Sequence, residues 1–387
     1  MSLIVRSATA LLPTGLQTDT DILIDGEIIT QVGRDLSAPR AKVFDARGMI
    51  VAPGFIDVHA HGGGGAMCES GDADQVRKIS ATLASFGVTG FLATVATLPP
   101  EPLRAAVAAI ARVMGSEPGA RILGIHLEGP YLSPLRAGAQ VVPFMRPASI
   151  EEIDALQEIA GGHIRLVTLA PETEGAIDLI AALRARGITV SVGHSNATTA
   201  EMLAGIKAGA THVTHLFNAM REIHHREPGP IGVGLTEDEV SVEIICDGHH
   251  LHPRIVDLVF RAKPDGTVVL VSDAVAALGL PEGPCEMFGI ACVISGGAVR
   301  LRDGGNLAGS CLSLDRAVRN VHAWLPRLPL ERILRAAASA PAAAIGSSDT
   351  GELAEGKLAD LVILDGRLQV VAALAKGIGL TGPIGPI

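Results

Sequence analysis

Residues 53–62 read PGFIDVHAHG, an aliphatic run that closes on two histidines one residue apart. Alternate side chains of a strand point the same way, so His59 and His61 share a side and can both face a barrel axis. Aliphatic runs that end in polar residues recur down the chain at Val88–Thr97, Ile122–Glu128, Ile164–Ala170, Ile188–His194, His212–His215, Val240–Cys246 and Val268–Asp273. With Phe55–His61 they make eight predicted strands. Helical stretches separate them, including Ala73–Phe86, Leu103–Met114, Ile150–Ile159, Gly175–Arg186, Thr198–Ala208 and Pro253–Arg261. Eight parallel strands with crossovers close into a barrel, whereas a dinucleotide-binding sheet has about six. The connection from Met220 to Glu239 is rich in Gly and Pro and predicts no clear helix.

Outside this region the pattern changes. Leu3–Val5, Asp21–Ile24 and Ile28–Val32 read as short strands, with Asp25-Gly26 as a hairpin signal. Ala359–Leu364 followed by Asp365-Gly366 matches them near the other end, and the Gly- and Pro-rich stretch after Gly377 predicts a loose tail. The expected architecture is α/β: a (β/α)8 TIM barrel over 52–343 and a small β-sandwich domain built from both termini, 1–51 and 344–387.

Composition agrees with that architecture. Apolar residues make up 48% of the 387 but aromatics only 3%, so the core must be Ala, Val, Ile and Leu. Parallel strands covered on both faces have that character. The formal charge of −10 disfavours nucleic-acid binding, which needs a basic footprint, but allows a local cationic cluster for an anionic substrate. Cys68, Cys246, Cys285, Cys292 and Cys311 contain no C-x-x-C pair, and an odd count suits reduced, buried thiols. No stretch approaches the ~20 apolar residues of a membrane helix. Ala8–Leu12, interrupted by Pro13, is too short for a signal peptide, so a cytoplasmic protein is expected.

Active sites of such barrels lie at the C-terminal ends of the strands. Here those ends carry Asp57-Val58-His59-Ala60-His61, His126-Leu127-Glu128-Gly129-Pro130, Gly193-His194-Ser195, Thr214-His215 and Ser272-Asp273-Ala274. H-x-H arises often by chance, and a lone strand-end histidine is structural about as often as not. A glutamate directly before Gly-Pro has no packing rationale, and burying it unpaired is costly. Five strands together point to a metal centre. Imidazole and carboxylate suit zinc, iron or manganese, and the lack of thiolates argues against a structural zinc site. Gly62–Gly65 lacks the Lys-Ser/Thr of a phosphate loop and reads as a flexible site entrance.

PGFIDVHAHG, HLEGP (126–130), GHSNA (193–197), THLFNAM (214–220), REPG (226–229), DGHH (247–250) and SDA (272–274) together resemble the N-acetylglucosamine-6-phosphate deacetylases of the amidohydrolase superfamily. The resemblance implies that Glu128, His194 and His215 hold one divalent metal, zinc first, with iron or manganese possible. It implies that His59 and His61 can hold a second, with Glu128 bridging. Thr168-Leu169-Ala170-Pro171 offers no lysine for a carbamylated bridge, so Glu128 takes that place. Asp273, a further rim ligand, is then the general base. A bound metal lowers the pKa of water from 15.7 to about 7, and Asp273 takes the proton and passes it to the departing amine.

By the same resemblance Arg226 binds the phosphate, from the neighbouring subunit of a homodimer in some members. The amides of Asn218 and Ala219 face it, and His250 contacts a sugar hydroxyl. Arg226 has a plainer reading as a solvated loop charge, and His249, His250 and His252 cannot all be functional. One departure stands out. Where the family usually has Gly-Ala-His-Asn-Pro, this chain has Gly138-Ala139-Gln140-Val141-Val142, so Gln140 can donate to substrate but cannot protonate. Losing one such donor typically costs ~10²–10³ in rate. The expected activity is deacetylation of N-acetylglucosamine 6-phosphate. The alternatives are the galacto epimer or another small N-acyl compound and, further off, a non-catalytic metal-binding sugar sensor, which the presence of Asp273 disfavours.

Overall fold

The computed structural model describes residues 2–287, 290–302 and 307–382. Eight strands form one parallel sheet in chain order: Phe55–Ala60, Val88–Val95, Arg121–Glu128, Ile164–Leu169, Thr189–Val192, His212–Val213, Ser241–Ile245 and Val268–Val271. The first and last meet beyond the end of the eighth, where Asp273 N–H donates to the His59 carbonyl at 2.9 Å and Ala60 bridges Ala274 in parallel. The barrel is thereby nearly closed. Every residue of Val88–Val95 is buried, because one face fills the barrel and the other lies under helices.

Local signals set the helix starts. Asp72 and Ser149 cap Ala73–Ala84 and Ile150–Ile159, and Thr198 with Glu201 forms a capping box on Thr199–Ala208. One expectation is corrected: Gly229–Thr236 is a helix, in the connection that predicted none. Pro230 lies in its first turn, where no N–H is needed. Gly229 to Leu235 are all buried, and a Cβ on Gly234 would come within 3.2 Å of Leu216. Close packing outweighs the low intrinsic propensity.

A second sheet joins both ends of the chain, in the order Ile378–Thr381, Val370–Ala375, Leu361–Leu364, Ile50–Pro53, Ser2–Leu12, Gly15–Asp25, Ile28–Gly33, with Lys42–Asp45 also beside Ser2–Leu12. Its own core holds Leu3, Val5, Ile22, Ile24, Val51, Leu361, Ile363 and Leu374. The Asp25-Gly26 hairpin forms, with Asp25 paired to Ile28. The tail is not loose over Ile378–Thr381: Lys376 (φ 50°) and Gly377 (φ 73°) make a tight turn that pairs it with Val370–Ala375. Residues 383–387 lie outside the described residues. Asp360 ties the two sheets, ion-paired with Arg121 of the third barrel strand and accepting from Thr350 at 2.7 Å.

After the eighth barrel strand the chain makes an antiparallel insert that the sequence reading did not assign: Gly283–Met287, Ile290–Ser295, Ala298–Leu301 and Leu307–Ser310. It rests on the rim through Val275, Ala276 and Ala277. Among the described residues, no helix is long and apolar enough to cross a membrane.

Candidate metal centre

Four histidines and two carboxylates converge inside the rim. His59 Nε2 lies 3.3 Å from His61 Nε2, and His194 Nε2 lies 3.1 Å from His215 Nε2. Glu128 stands between the pairs. Its Oε1 is 3.1 Å from His194 and 3.0 Å from His215, and its Oε2 is 3.2 Å from His61. Asp273 Oδ1 is 3.5 Å from His59 Nε2 and 3.6 Å from His61 Nε2. Two sets of side chains could therefore hold an ion: His59, His61 and Glu128, and Glu128, His194 and His215.

The strand ends bend to achieve this. His194, His215 and Asp273 have positive φ (46°, 29° and 48°), a backbone region that non-glycine residues rarely adopt and that clusters at functional sites. Gly62–Gly65 is no open loop. It forms a tight hairpin with Ala66–Met67, turned by Gly64 and Gly65 and pinned by N–H donors of Gly62, Gly64 and Gly65 to Ala274, Leu278 and Ala276 at 2.7–2.8 Å.

Whether an ion suits this cluster can be decided from the far side of three of the four rings; Nδ1 of the fourth, His215, is buried with no hydrogen-bond partner among the described residues. His59 Nδ1 is 2.9 Å from Glu243 Oε2, His61 Nδ1 is 2.7 Å from Glu69 Oε1, and His194 Nδ1 is 3.0 Å from the Arg136 carbonyl. Each of these partners accepts, so each Nδ1 carries the hydrogen. A neutral ring then leaves a bare lone pair on Nε2, aimed at another lone pair or a carboxylate oxygen. Such an arrangement repels itself unless positive charge sits at its centre, as protons or as a metal ion. The donors are imidazole nitrogen and carboxylate oxygen, which suits zinc, iron or manganese. The residues fit.

The electrostatics agree. Burial alone would keep His59 and His61 neutral. The charges of Asp273, Glu243 and Glu128 outweigh it for His59, raising its pKa well above the ordinary value, and those of Glu69 and Glu128 raise His61 to about 10. Burial works against the Glu128 anion too, yet His59 and His194 hold it well below the usual carboxylate range.

His126, beside Glu128 in sequence, belongs to the layer beneath: its Nε2 is 2.7 Å from Thr168 Oγ1, and burial holds its pKa well below normal. Glu243 and Glu69, which orient the first-strand histidines, went unread in the sequence. Glu243 left a trace, a carboxylate inside the buried run Val242-Glu-Ile-Ile245. Glu69 left none.

The substrate candidates are placed unevenly. His250 is held by Asp247 at 2.6 Å, and its side chain is 10% exposed. His252 caps a helix, and His249 is 3.0 Å from the Gly296 carbonyl. The Asn218 N–H, expected to face a phosphate beside that of Ala219, instead donates to the His215 carbonyl at 2.9 Å, because the chain turns there with Phe217 and Ala219 at positive φ. Arg226 is exposed, with Nη1 2.8 Å from His225 Nε2, and among the described residues it makes no contact with the histidine cluster. The Gln140 amide, expected at the substrate, reaches Glu128.

A nearly closed eight-stranded parallel barrel whose rim gathers imidazoles around a shared carboxylate has the build of a barrel hydrolase that works through a bound metal. The amidohydrolase family model matches residues 50–381. The chain is 37% identical to the N-acetylglucosamine-6-phosphate deacetylase of Bacillus subtilis (strain 168), across 91% of its length and 90% of the relative's. It is 38% identical to the N-acetylgalactosamine-6-phosphate deacetylase of Escherichia coli O157:H7, across 85% and 87%. An aspartate-to-alanine mutant of N-acetyl-D-glucosamine-6-phosphate deacetylase from Mycobacterium smegmatis, solved with N-acetyl-D-glucosamine-6-phosphate, matches with a TM-score of 0.92 at 35% identity, covering 98% of this chain and 99% of that one. The chain belongs to the amidohydrolase family and, within it, to the N-acetylglucosamine-6-phosphate deacetylase group.

Proposed function

We propose that the protein hydrolyses the acetamide of N-acetylglucosamine 6-phosphate to glucosamine 6-phosphate and acetate. One observation carries this reading: Glu128 is shared between the His59/His61 and His194/His215 pairs, with Asp273 facing the first pair at 3.5–3.6 Å. Zinc suits these donors best, iron or manganese also fits them, and the two ligand sets allow one or two ions. When bound, a divalent ion lowers the pKa of a coordinated water to about 7 and polarises the acetyl carbonyl.

The chain's own groups supply the remainder. Asp273 takes the proton of the attacking water at its carboxylate and delivers it to the amine nitrogen as the C–N bond breaks; without that proton the amine is a poor leaving group. His250, fixed by Asp247, contacts a sugar hydroxyl. Arg226 faces outward on an exposed turn, which suits a guanidinium that crosses a homodimer interface to clamp the neighbouring subunit's phosphate. Of the described residues, those within 1–51 and 344–387 make a supporting β domain in this reading and those within 52–343 the catalytic barrel. A cytoplasmic location is part of this reading, since a doubly charged sugar phosphate does not cross membranes unaided and its enzyme must share its compartment.

Acetate release from N-acetylglucosamine with and without the 6-phosphate tests the reading. The phosphorylated sugar should react far faster, and equal rates would remove the role given to Arg226. The galacto epimer is a second reading, favoured by the departure at Gln140. A panel including N-acetylgalactosamine 6-phosphate decides between them by kcat/KM.

A further inference from the structure

The loop after the third barrel strand grips the centre at two points. The Arg136 carbonyl lies 3.0 Å from His194 Nδ1 and orients that ring. Gly138 passes so near that a Cβ there would lie 3.3 Å from His194 Cε1. Two residues on, Gln140 Oε1 accepts from the Thr97 N–H at 2.8 Å. A backbone N–H can only donate, so this contact decides which end of the amide is oxygen. The NH₂ end therefore faces Glu128, and it donates to Oε2 at 2.5 Å.

That bond matters because the terminal torsion of a glutamate is broad and roughly two-fold. Left alone, the Glu128 carboxylate could turn either oxygen, or its edge, toward either histidine pair. With Oε2 held by Gln140 on the side of His61, Oε1 faces His194 and His215 at 3.0–3.1 Å and lies farther, at 3.4 Å, from His59 Nε2. We propose that Gln140 is a positioning residue for the metal-holding carboxylate, and that one loop, through the Arg136 carbonyl and the Gln140 amide, orients two of the three ligands Glu128, His194 and His215. This rests on the metal-centre reading given above. It replaces the expectation that Gln140 acts on the substrate carbonyl.

The two roles separate experimentally, because outer partners of metal ligands typically contribute about 10–100-fold to metal affinity. The full-length protein is stripped with a chelator, and its zinc affinity is measured by competition with a chromophoric chelator. Wild type is compared with Gln140→Met, which keeps the length but loses both hydrogen bonds, and with Gln140→Asn, too short to span Thr97 and Glu128. KM is measured separately at saturating zinc. The expected result is zinc affinity about 10–100-fold weaker in both variants, with KM at saturating zinc moved far less. A zinc affinity within threefold of wild type in the variants overturns the proposal, whatever KM does. A raised KM with unchanged zinc affinity would make Gln140 a substrate contact. If stripped wild type takes up no zinc at all, the metal-centre reading itself fails, which is a different result from either.

Discussion

Asp273 differs from its neighbours in being reachable: its side chain is 16% exposed, against 0% for His59 and 4% for Glu128. A group that must meet water and then a leaving amine needs that opening, whereas one that only binds a cation does not. Asp273→Asn is expected to keep metal and lose at least ~10³ in turnover, near the upper part of the usual range for a general base because it serves both proton transfers. Turnover with elemental analysis checks this, and a variant retaining a tenth of wild-type rate places the base elsewhere. The His250–Asp247 pair makes a pH prediction. Burial opposes the His250 imidazolium, but the hydrogen bond and charge of Asp247 outweigh burial and raise its pKa above the ordinary 6.5. The pair's contribution to stability is therefore complete below about pH 6.5 and is lost as pH rises through the raised value. If His250 contacts the sugar as proposed, KM should climb along the same limb as its charge disappears. Asp247→Asn should move that limb to lower pH, and a KM–pH profile unmoved by the substitution excludes His250 as the titrating group.

The barrel strands, and the histidines and carboxylates at their ends, were legible from local spacing, whereas the metal-holding roles expected of those residues came from the family resemblance. An aliphatic run marks a strand buried on two faces, and H-x-H marks one side of it. The helix Gly229–Thr236 was not legible, since its composition opposes helix and only burial against the neighbouring strand and helices stabilises it. The antiparallel insert after Val271 escaped for a different reason: its strands are only four to six residues long and are punctuated by glycine turns such as Gly296-Gly297. Glu69 and Glu243 show a third kind of blindness. Glu243 lies 184 residues from His59, and Glu69, though only eight from His61, is brought to it by the Gly64-Gly65 turn, so only the folded chain reveals that each orients a ring. Glu243 reaches His59 Nδ1 at 2.9 Å and His212 Nε2 at 3.0 Å, so the seventh strand sets the geometry of the first. Glu243→Gln should accordingly weaken metal binding by His59 and His61 about 10–100-fold. Metal titration of the stripped protein checks this, and an unchanged affinity shows that the strand does not control the ring.

The two sheets pack as one body because the chain leaves the terminal sheet at Ile50–Pro53, enters the barrel at Phe55, and returns at Leu361–Leu364 beside its point of departure. The division into a barrel and a two-ended β domain was readable from the change of pattern at each end, but the pairing that joins the ends was not. The remaining distant expectation concerns Arg226, which lies away from the histidine cluster of its own chain. If the protein is a dimer whose arginine acts across the interface, mixing Asp273→Asn with Arg226→Ala should restore about a quarter of wild-type activity, since about half of randomly exchanged dimers are hybrids with one complete site. An arginine acting within its own subunit leaves every mixed site defective, and no activity returns. All of this depends on a cation at the rim, which anomalous diffraction at the zinc edge from zinc-loaded crystals can locate. The expected result is a peak bounded by Glu128, His194 and His215, about 2.0–2.1 Å from the two imidazole nitrogens, that vanishes in Glu128→Ala. Zinc-loaded crystals with no peak among those three side chains would contradict it.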